Sequence, residues 1–129
     1  MATARLVFDG QCGFCTWMAW WIRRIDRRDR LDIVPLQRPG VPESIGSTER
    51  ECRTALQWQG PDGSRSSGAG AANAALATAF GTRLPLHVYR VTAGFQERMY
   101  HWVSAHRERL PSVRPHCETH PADCTEGDT

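Results

Sequence analysis

Residues 5–15 have the sequence RLVFDGQCGFC. The first four are short and apolar, and Asp9-Gly10 after them is a turn signal, so we expect a buried strand over residues 5–8. Residues 14–25 contain no helix breaker. Their apolar side chains recur at three- and four-residue spacing, as one helix face: Phe14, Met18, Trp21, Ile22 and Ile25. The stretch therefore predicts a strand, a turn and an amphipathic helix, with Cys12 at the start of the helix.

The two cysteines of this stretch form a Cys-x-x-Cys pair. A thiolate is the nucleophile in disulfide exchange, and a helix N-terminus stabilises it with free N–H groups and the positive end of the helix dipole. Cys15, one turn further on, is then close enough to resolve a mixed disulfide. We expect Gly13 to allow close approach of a substrate, and Phe14 and Trp17 to offer it apolar contacts. The pattern predicts a thiol–disulfide redox centre.

The rest of the chain alternates strands and helices. A second strand is expected over residues 32–36, a loop with room for one helical turn over 38–46, and a third strand over 53–58. Gly60-Pro61-Asp62-Gly63 predicts a turn into a returning strand at 64–67. Helices are expected over 69–80, ended by Gly81, and over 86–110 with a break near Gly94. This order predicts an α/β sandwich with a small mixed sheet flanked by helices.

A chain of 129 residues fits one domain, which we expect to span residues 1–110. Residues 111–129 contain Pro, Cys, His and acidic residues without periodicity. We therefore expect a C-terminal tail that is poorly ordered unless something ties it down.

Composition excludes several functional classes. The net charge of +2 is too small for a nucleic-acid partner. All sixteen basic residues are arginine, so no lysine can form a Schiff base. No apolar run is long enough to span a membrane, and the first eight residues are too short for a signal peptide, so we expect a cytoplasmic protein without membrane association. The cysteine count is odd, at five. In a reducing cytosol a close cysteine pair indicates redox chemistry or metal binding rather than a disulfide framework.

Residues 7–15, VFDGQCGFC, resemble the signature of the DCC family of thiol–disulfide oxidoreductases, named for Asp-x-x-Cys-x-x-Cys. Looser similarity extends along residues 5–110, at 31–37, Asp62-Gly63, Gly68-Ala69, Tyr100 and Arg107. The resemblance implies a thioredoxin-like fold and a protein-disulfide reductase type of activity, with Asp9, Cys12 and Cys15 as the functional set. The resemblance does not indicate what this member acts on. For an enzyme of this kind we expect a disulfide-bearing protein or small thiol as substrate, with electrons supplied by another thiol system. No bound cofactor is expected.

Asp9 has two interpretations. As a carboxylate at the strand end, it could exchange a proton with Cys15 during disulfide exchange. It could also cap the loop or the helix through backbone N–H groups, and both roles can hold together.

Other cysteine and histidine residues leave alternatives open. His116, Cys117, His120 and Cys124 have a spacing that can bind zinc, alone or with Cys12 and Cys15. The same tail could instead be without function, or one of its thiols could exchange with the Cys-x-x-Cys pair. A zinc-binding module is thus the alternative function, and a redox-silent interaction domain is a third. We assign no metal ligand, and interpret Cys52 as a small buried hydrophobe.

Overall fold

The computed structural model of the chain describes residues 4–106, 109–110 and 113–124. The strands are β1 (Ala4–Phe8), β2 (Leu31–Pro35), β3 (Gln57–Gln59) and β4 (Arg65–Ser67). The helices are α1 (Gly13–Ile25), α2 (Val41–Ser44), α3 (Glu49–Thr54), α4 (Gly68–Phe80), α5 (Leu84–Ala105) and α6 (His116–Thr119), and a 3-10 turn follows at Pro121–Asp123.

The four strands form one mixed sheet in the order β2-β1-β3-β4. Strands β1 and β2 are parallel and are joined by α1, whereas β1–β3 and β3–β4 are antiparallel. A parallel pair needs a crossover connection, and α1 provides it. The mixed α/β architecture predicted from the sequence is confirmed, and it is consistent with a thioredoxin-like fold.

Strand β1 is buried on both faces, because its side chains alternate between two apolar layers. On one face Leu6 and Phe8 pack against α1 and α4 through Ala19, Ile22, Ala75 and Ala79. On the other face Val7 packs with Val34 of β2, Val41 of α2, Ile45 directly after α2, and Cys52 of α3. The strand that leads to the cysteine pair is thus enclosed between two apolar layers.

The third predicted strand is wrong over most of its length. Helix α3 covers Glu49–Thr54, and β3 begins only at Gln57. The cause is a capping box in which the Thr48 side chain accepts from the N–H of Glu51, while the Glu51 carboxylate accepts from the N–H of Thr48. Cys52 consequently lies on a helix, with only 2% of its surface exposed, which confirms its interpretation as a buried hydrophobe.

The remaining elements within the domain follow the sequence patterns, except that α5 covers Leu84–Ala105, whereas the sequence predicts a helix over 86–110. The short helix α2 lies in the expected loop, and β4 returns after the turn at 60–63, where the N–H of Gly63 donates to the carbonyl of Gly60. Helix α4 ends at Gly81, whose φ of 71° is the left-handed conformation typical of a glycine cap. The interruption expected near Gly94 lies at Thr92, the one residue of α5 with non-helical φ and ψ.

Helix α5 packs against α4 on one side and faces solvent on the other. Asn73 of α4 donates to Gln96 of α5 at 2.6 Å, and the N–H of Leu56 donates to the Tyr100 hydroxyl at 2.8 Å. The outer side exposes a row of apolar side chains, Leu84, Val88, Val91, Phe95, Met99 and Trp102. Among the helices of the described residues, none has both the length and the apolar character needed to cross a membrane.

Residues 113–124, here called the C-terminal segment, fold back onto the start of α1. The N–H of Cys117 donates to the carbonyl of Gly10 at 2.9 Å, and that of His116 donates to the Thr16 hydroxyl at 3.0 Å. A disulfide joins Cys117 to Cys124. From the sequence, this region is expected to be ordered only if other parts of the chain hold it in place. The hydrogen bonds to Gly10 and Thr16 are contacts of this kind. Residues 107–108, 111–112 and 125–129 lie outside the described residues.

The alanines of α4 allow the helix to lie close to the sheet, and this predicts the effect of a larger side chain. Ala75 is fully buried against β1 and α1. We expect Ala75→Leu to lower the free energy of unfolding by about 1–3 kcal/mol, because the added carbons have no space. The matched control, Ala105→Leu on the exposed end of α5, should change it by less than about 0.5 kcal/mol. Urea denaturation measures both, and equal effects would contradict this packing.

Candidate active site

Cys12 lies at the N-cap of α1, immediately after the turn that ends β1. Its N–H donates to the carbonyl of Asp9 at 3.1 Å, which closes the turn of residues 9–12. Its own carbonyl accepts from both the N–H and the hydroxyl of Thr16, at 3.0 and 2.9 Å. The backbone of Cys12 is thus held on both sides, and its side chain is directed to the first turn of the helix.

The sulfur of Cys12 accepts a hydrogen bond from the N–H of Cys15 at 3.2 Å. This is the position in which Ser, Thr, Asp or Asn usually caps a helix, so sulfur here replaces oxygen as the cap. A negatively charged cap is stabilised both by the N–H and by the positive end of the helix dipole. The sulfur of Cys12 thus occupies a helix N-terminus, a position where negative charge interacts favourably with the first N–H groups of the helix.

Cys15 lies one turn further into α1 and faces inward. Both cysteines are half-buried, and neither is in a disulfide in this structure. Cys15 packs against the core layer formed by β1, α1 and α4. It also lines a small pocket together with Asp9, Phe14, Leu56 and Tyr100. The two thiols thus differ in surroundings, since Cys12 caps the helix and Cys15 faces an apolar pocket.

Asp9 makes the backbone contacts expected of a loop cap. Its Oδ1 accepts from the N–H of Gln11 at 3.0 Å and from the side-chain amide of Gln37 at 2.8 Å. The carboxylate also lines the pocket that contains Cys15. The hydrogen bond from Gln11 confirms the capping interpretation of Asp9. The proton-transfer role with Cys15 stays a prediction.

The three residues expected to contact substrate lie around the start of α1. Gly13 is its first residue, and the Gly13 carbonyl accepts from the N–H of Val113 at 3.4 Å. The rings of Phe14 and Trp17 are stacked with centroids 5.9 Å apart, and Trp21 meets Trp17 edge to face. Phe14 lines the pocket beside Cys15, whereas Trp17 extends the aromatic surface along the helix.

Gln37 is a central residue of the site that the sequence analysis does not select as functional. Its side-chain oxygen accepts from the N–H of Gly10 at 2.9 Å, while its amide nitrogen donates to Asp9. One side chain therefore holds both the backbone and the carboxylate of the turn of residues 9–12. The signals that the sequence contains are its position two residues after β2, the parallel neighbour of β1, and its place in the segment 31–37 that resembles the family.

The zinc arrangement considered for the tail is not what the structure contains. Cys117 and Cys124 are joined to each other, so neither supplies a thiolate ligand. His116 instead bonds Asp123 at 2.7 Å and stacks on His120. Within residues 4–106, 109–110 and 113–124, no three His, Cys, Asp or Glu side chains are grouped to hold a metal ion.

Asp123 fastens the C-terminal segment to the domain. Its carboxylate accepts from the guanidinium of Arg38 on one oxygen and from the His116 ring on the other. Burial alone would raise the pKa of Asp123, but the hydrogen bonds from His116 and Arg38 outweigh it and keep this pKa below its ordinary value. The ionised carboxylate is thus the form that the folded segment requires.

Comparison with known proteins gives one match. The model of a family described as DCC1-like thiol-disulfide oxidoreductase matches residues 6–113. That range includes Asp9, Cys12, Cys15 and Gln37, and it ends where the C-terminal segment begins. No curated protein and no solved structure matches the chain significantly.

The lowered pKa of Asp123 predicts how acid affects the C-terminal segment. A group whose pKa is lower when folded adds stability above its unfolded pKa, near 4, and this stability is lost as the pH falls through the folded value. Between about pH 6 and about pH 3, wild type should therefore lose more unfolding free energy than Asp123→Asn. Urea denaturation at both pH values measures this. Equal losses in the two proteins would show that Asp123 does not contribute.

Proposed function

The chain belongs to the DCC1-like thiol-disulfide oxidoreductase family, and from this premise we propose that Cys12 and Cys15 are its redox-active pair. The proposed reaction is exchange of the Cys12–Cys15 dithiol or disulfide with a disulfide or dithiol of a substrate, in the manner of a protein-disulfide reductase. The observation that supports it most is the N–H of Cys15 directed at the Cys12 sulfur, at the N-terminus of a 13-residue helix.

The first step is attack of the Cys12 thiolate on one sulfur of the substrate disulfide. A bond forms between Cys12 and that sulfur, and the other substrate sulfur leaves as a thiolate. The N–H of Cys15 and the helix dipole stabilise the charge before the attack. Cys12 acts as nucleophile because it occupies the helix cap, whereas Cys15 faces the pocket.

In the second step Cys15 attacks the Cys12 sulfur and releases the reduced substrate. Cys15 must lose its proton for this attack, and its surroundings are largely apolar. Asp9 lines the same pocket and is the acidic side chain there, so we assign it as the proton acceptor. Gln37 then acts as a positioning residue, since its amide donates to the Asp9 carboxylate.

The aromatic surface of α1 supports an apolar or peptide-like substrate. Phe14 and Trp17 stack next to the cysteine pair, and Gly13 leaves the backbone there without a side chain. The substrate that we propose is therefore a disulfide-bearing protein or a small thiol. Another thiol system returns the Cys12–Cys15 pair to its starting redox state. We propose a cytoplasmic location as well, because a reducing compartment supplies such thiols.

The division of roles between the cysteines predicts which variant traps an intermediate. We use a chain with Cys117→Ser and Cys124→Ser, so that one accessible pair remains. In this background Cys15→Ala should accumulate a mixed disulfide between Cys12 and glutathione when treated with glutathione disulfide, because no thiol resolves it. Peptide mass spectrometry locates the adduct. Cys12→Ala in the same background should accumulate far less, because the nucleophile is absent.

Cys52 provides the control for this experiment. Burial raises the pKa of the Cys52 thiol, so this residue stays protonated and enclosed. It should carry no glutathione in any folded variant and should react with iodoacetamide only after denaturation. An adduct on Cys52 or Cys15 in place of Cys12 would contradict the assignment.

The roles of Asp9 are separated by Asp9→Asn. The Asn oxygen can keep both hydrogen bonds that Asp9 accepts, but the amide cannot take up a proton. We expect unchanged stability and release of reduced substrate slowed by about 100-fold near pH 7, with the difference shrinking at higher pH. Stopped-flow thiol release measures this rate.

The matched control is Asp62→Asn, because Asp62 also accepts from the N–H two residues on, in the turn between β3 and β4. It should leave the rate unchanged. If Asp9→Asn also leaves the rate unchanged, Asp9 is a loop cap and not a proton acceptor.

A further inference from the structure

The Cys117–Cys124 disulfide lies beyond the residues that match the family model, yet it contacts the turn that precedes Cys12. The N–H of Cys117 donates to the carbonyl of Gly10. A Cβ atom placed on Gly10 would lie only 2.8 Å from the Cys117 sulfur. The absence of a side chain at Gly10 thus lets one sulfur of this disulfide lie directly against the turn of residues 9–12.

Further hydrogen bonds connect the C-terminal segment to residues that follow Cys12 in the sequence, in addition to the contact with Gly10 before it. Val113 donates to the carbonyl of Gly13, and His116 donates to the hydroxyl of Thr16, which itself donates to the carbonyl of Cys12. The segment is therefore attached to the backbone before Cys12 and to the first turn of α1 after it.

The two sulfurs of the C-terminal disulfide differ in exposure and surroundings. Cys117 is half-buried, whereas Cys124 is only 9% exposed. The Cys117 sulfur also lies 3.7 Å from the side-chain oxygen of Gln37, the residue that holds Asp9 and Gly10. When reduced, the Cys117 thiol can donate to this oxygen. Cys117 is thus the sulfur that an attacking thiolate reaches, and Cys124 is the leaving group.

We propose that Cys117–Cys124 is a second redox site of this chain, which exchanges an electron pair with Cys12–Cys15 inside the same molecule. This proposal rests on the proposed function of the Cys12–Cys15 pair. A disulfide in a reducing compartment is generally one that takes part in redox chemistry, which agrees with this role.

The exchange proceeds in two balanced steps. The Cys12 thiolate attacks the Cys117 sulfur, so that a Cys12–Cys117 bond forms, the Cys117–Cys124 bond breaks, and Cys124 leaves as a thiolate that takes up a proton. Cys15 then loses its proton and attacks Cys12, which forms the Cys12–Cys15 disulfide and releases the Cys117 thiolate to be protonated. The second pair gains two electrons and two protons. The first pair gives up the two electrons, the proton lost when Cys12 ionised before the attack and the proton lost by Cys15, and the reverse sequence returns them.

The intermediate of this exchange gives a direct test. The variant Cys15→Ser/Cys124→Ser retains Cys12 and Cys117, and its matched control Cys15→Ser/Cys117→Ser retains Cys12 and Cys124. Both are reduced, freed of reductant and oxidised with diamide, and non-reducing peptide mapping quantifies the crosslinks. We expect at least about 10-fold more Cys12–Cys117 than Cys12–Cys124 linkage, because only Cys117 lies against the turn. Comparable yields, or no Cys12–Cys117 linkage, would overturn the proposal.

Folding of each variant is checked by the protection of Cys52 from iodoacetamide. If a variant does not fold, wild type provides the second measurement. Fully reduced protein receives an equimolar amount of glutathione disulfide, and acid-quenched samples are mapped over time. The disulfide should redistribute between the two pairs at a rate independent of protein concentration. A disulfide that stays where it first forms, or redistributes only between molecules, would overturn the proposal.

Failure of this inference can be told apart from failure of the proposed function. The variant Cys117→Ser/Cys124→Ser contains only the Cys12–Cys15 pair and Cys52. If it exchanges with glutathione disulfide while no Cys12–Cys117 linkage forms, the second site is absent and the proposed function stands. If it does not exchange at all, the proposed function itself fails.

Discussion

The hydrogen bond from the N–H of Cys15 to the sulfur of Cys12 links the fold of this chain to its chemistry. A helix must satisfy its first N–H groups, and here a reactive side chain satisfies one of them. The charge on the Cys12 sulfur is therefore coupled to the stability of the first turn of α1. A sulfur that is bonded to a substrate is a weaker cap for the helix. In the proposed reaction, the substrate sulfur leaves as a thiolate when Cys15 attacks, and Cys12 becomes part of the Cys12–Cys15 disulfide.

The geometry of this contact depends on β1, which is buried on both faces and ends at Phe8. Because β1 is fixed between two apolar layers, the turn of residues 9–12 starts from a rigid point. The side-chain oxygen of Gln37, beyond β2, accepts a hydrogen bond from the N–H of Gly10 in this turn. The N–H of Cys117, in the C-terminal segment, donates to the carbonyl of Gly10. The turn is therefore fixed by the sheet, by Gln37 beyond the neighbouring strand and by the C-terminal segment, which places the Cys117 sulfur against Gly10.

The features predictable from sequence were those with a local cause. The cysteine pair, the strand before it, the helix after it and the hairpin at 60–63 all follow from spacing, turn residues and periodicity. The third strand is misplaced because the signal for the helix lies before residues 53–58, in the capping box at Thr48 and Glu51, and the helix that starts there extends to Thr54. Gln37 and the Cys117–Cys124 pairing could not be predicted, because they depend on which distant residues the fold brings to the turn, and a seven-residue separation is equally compatible with zinc binding.

The most direct test of a redox-active Cys12–Cys15 pair is an equilibrium titration of the Cys117→Ser/Cys124→Ser chain against glutathione buffers. Free thiols are counted by alkylation and mass spectrometry at each ratio of dithiol to disulfide. The account predicts a reversible two-electron transition confined to Cys12 and Cys15, with the same midpoint on oxidation and on reduction. A chain in which this pair never forms a disulfide across the buffer range, although it remains folded, would contradict the account.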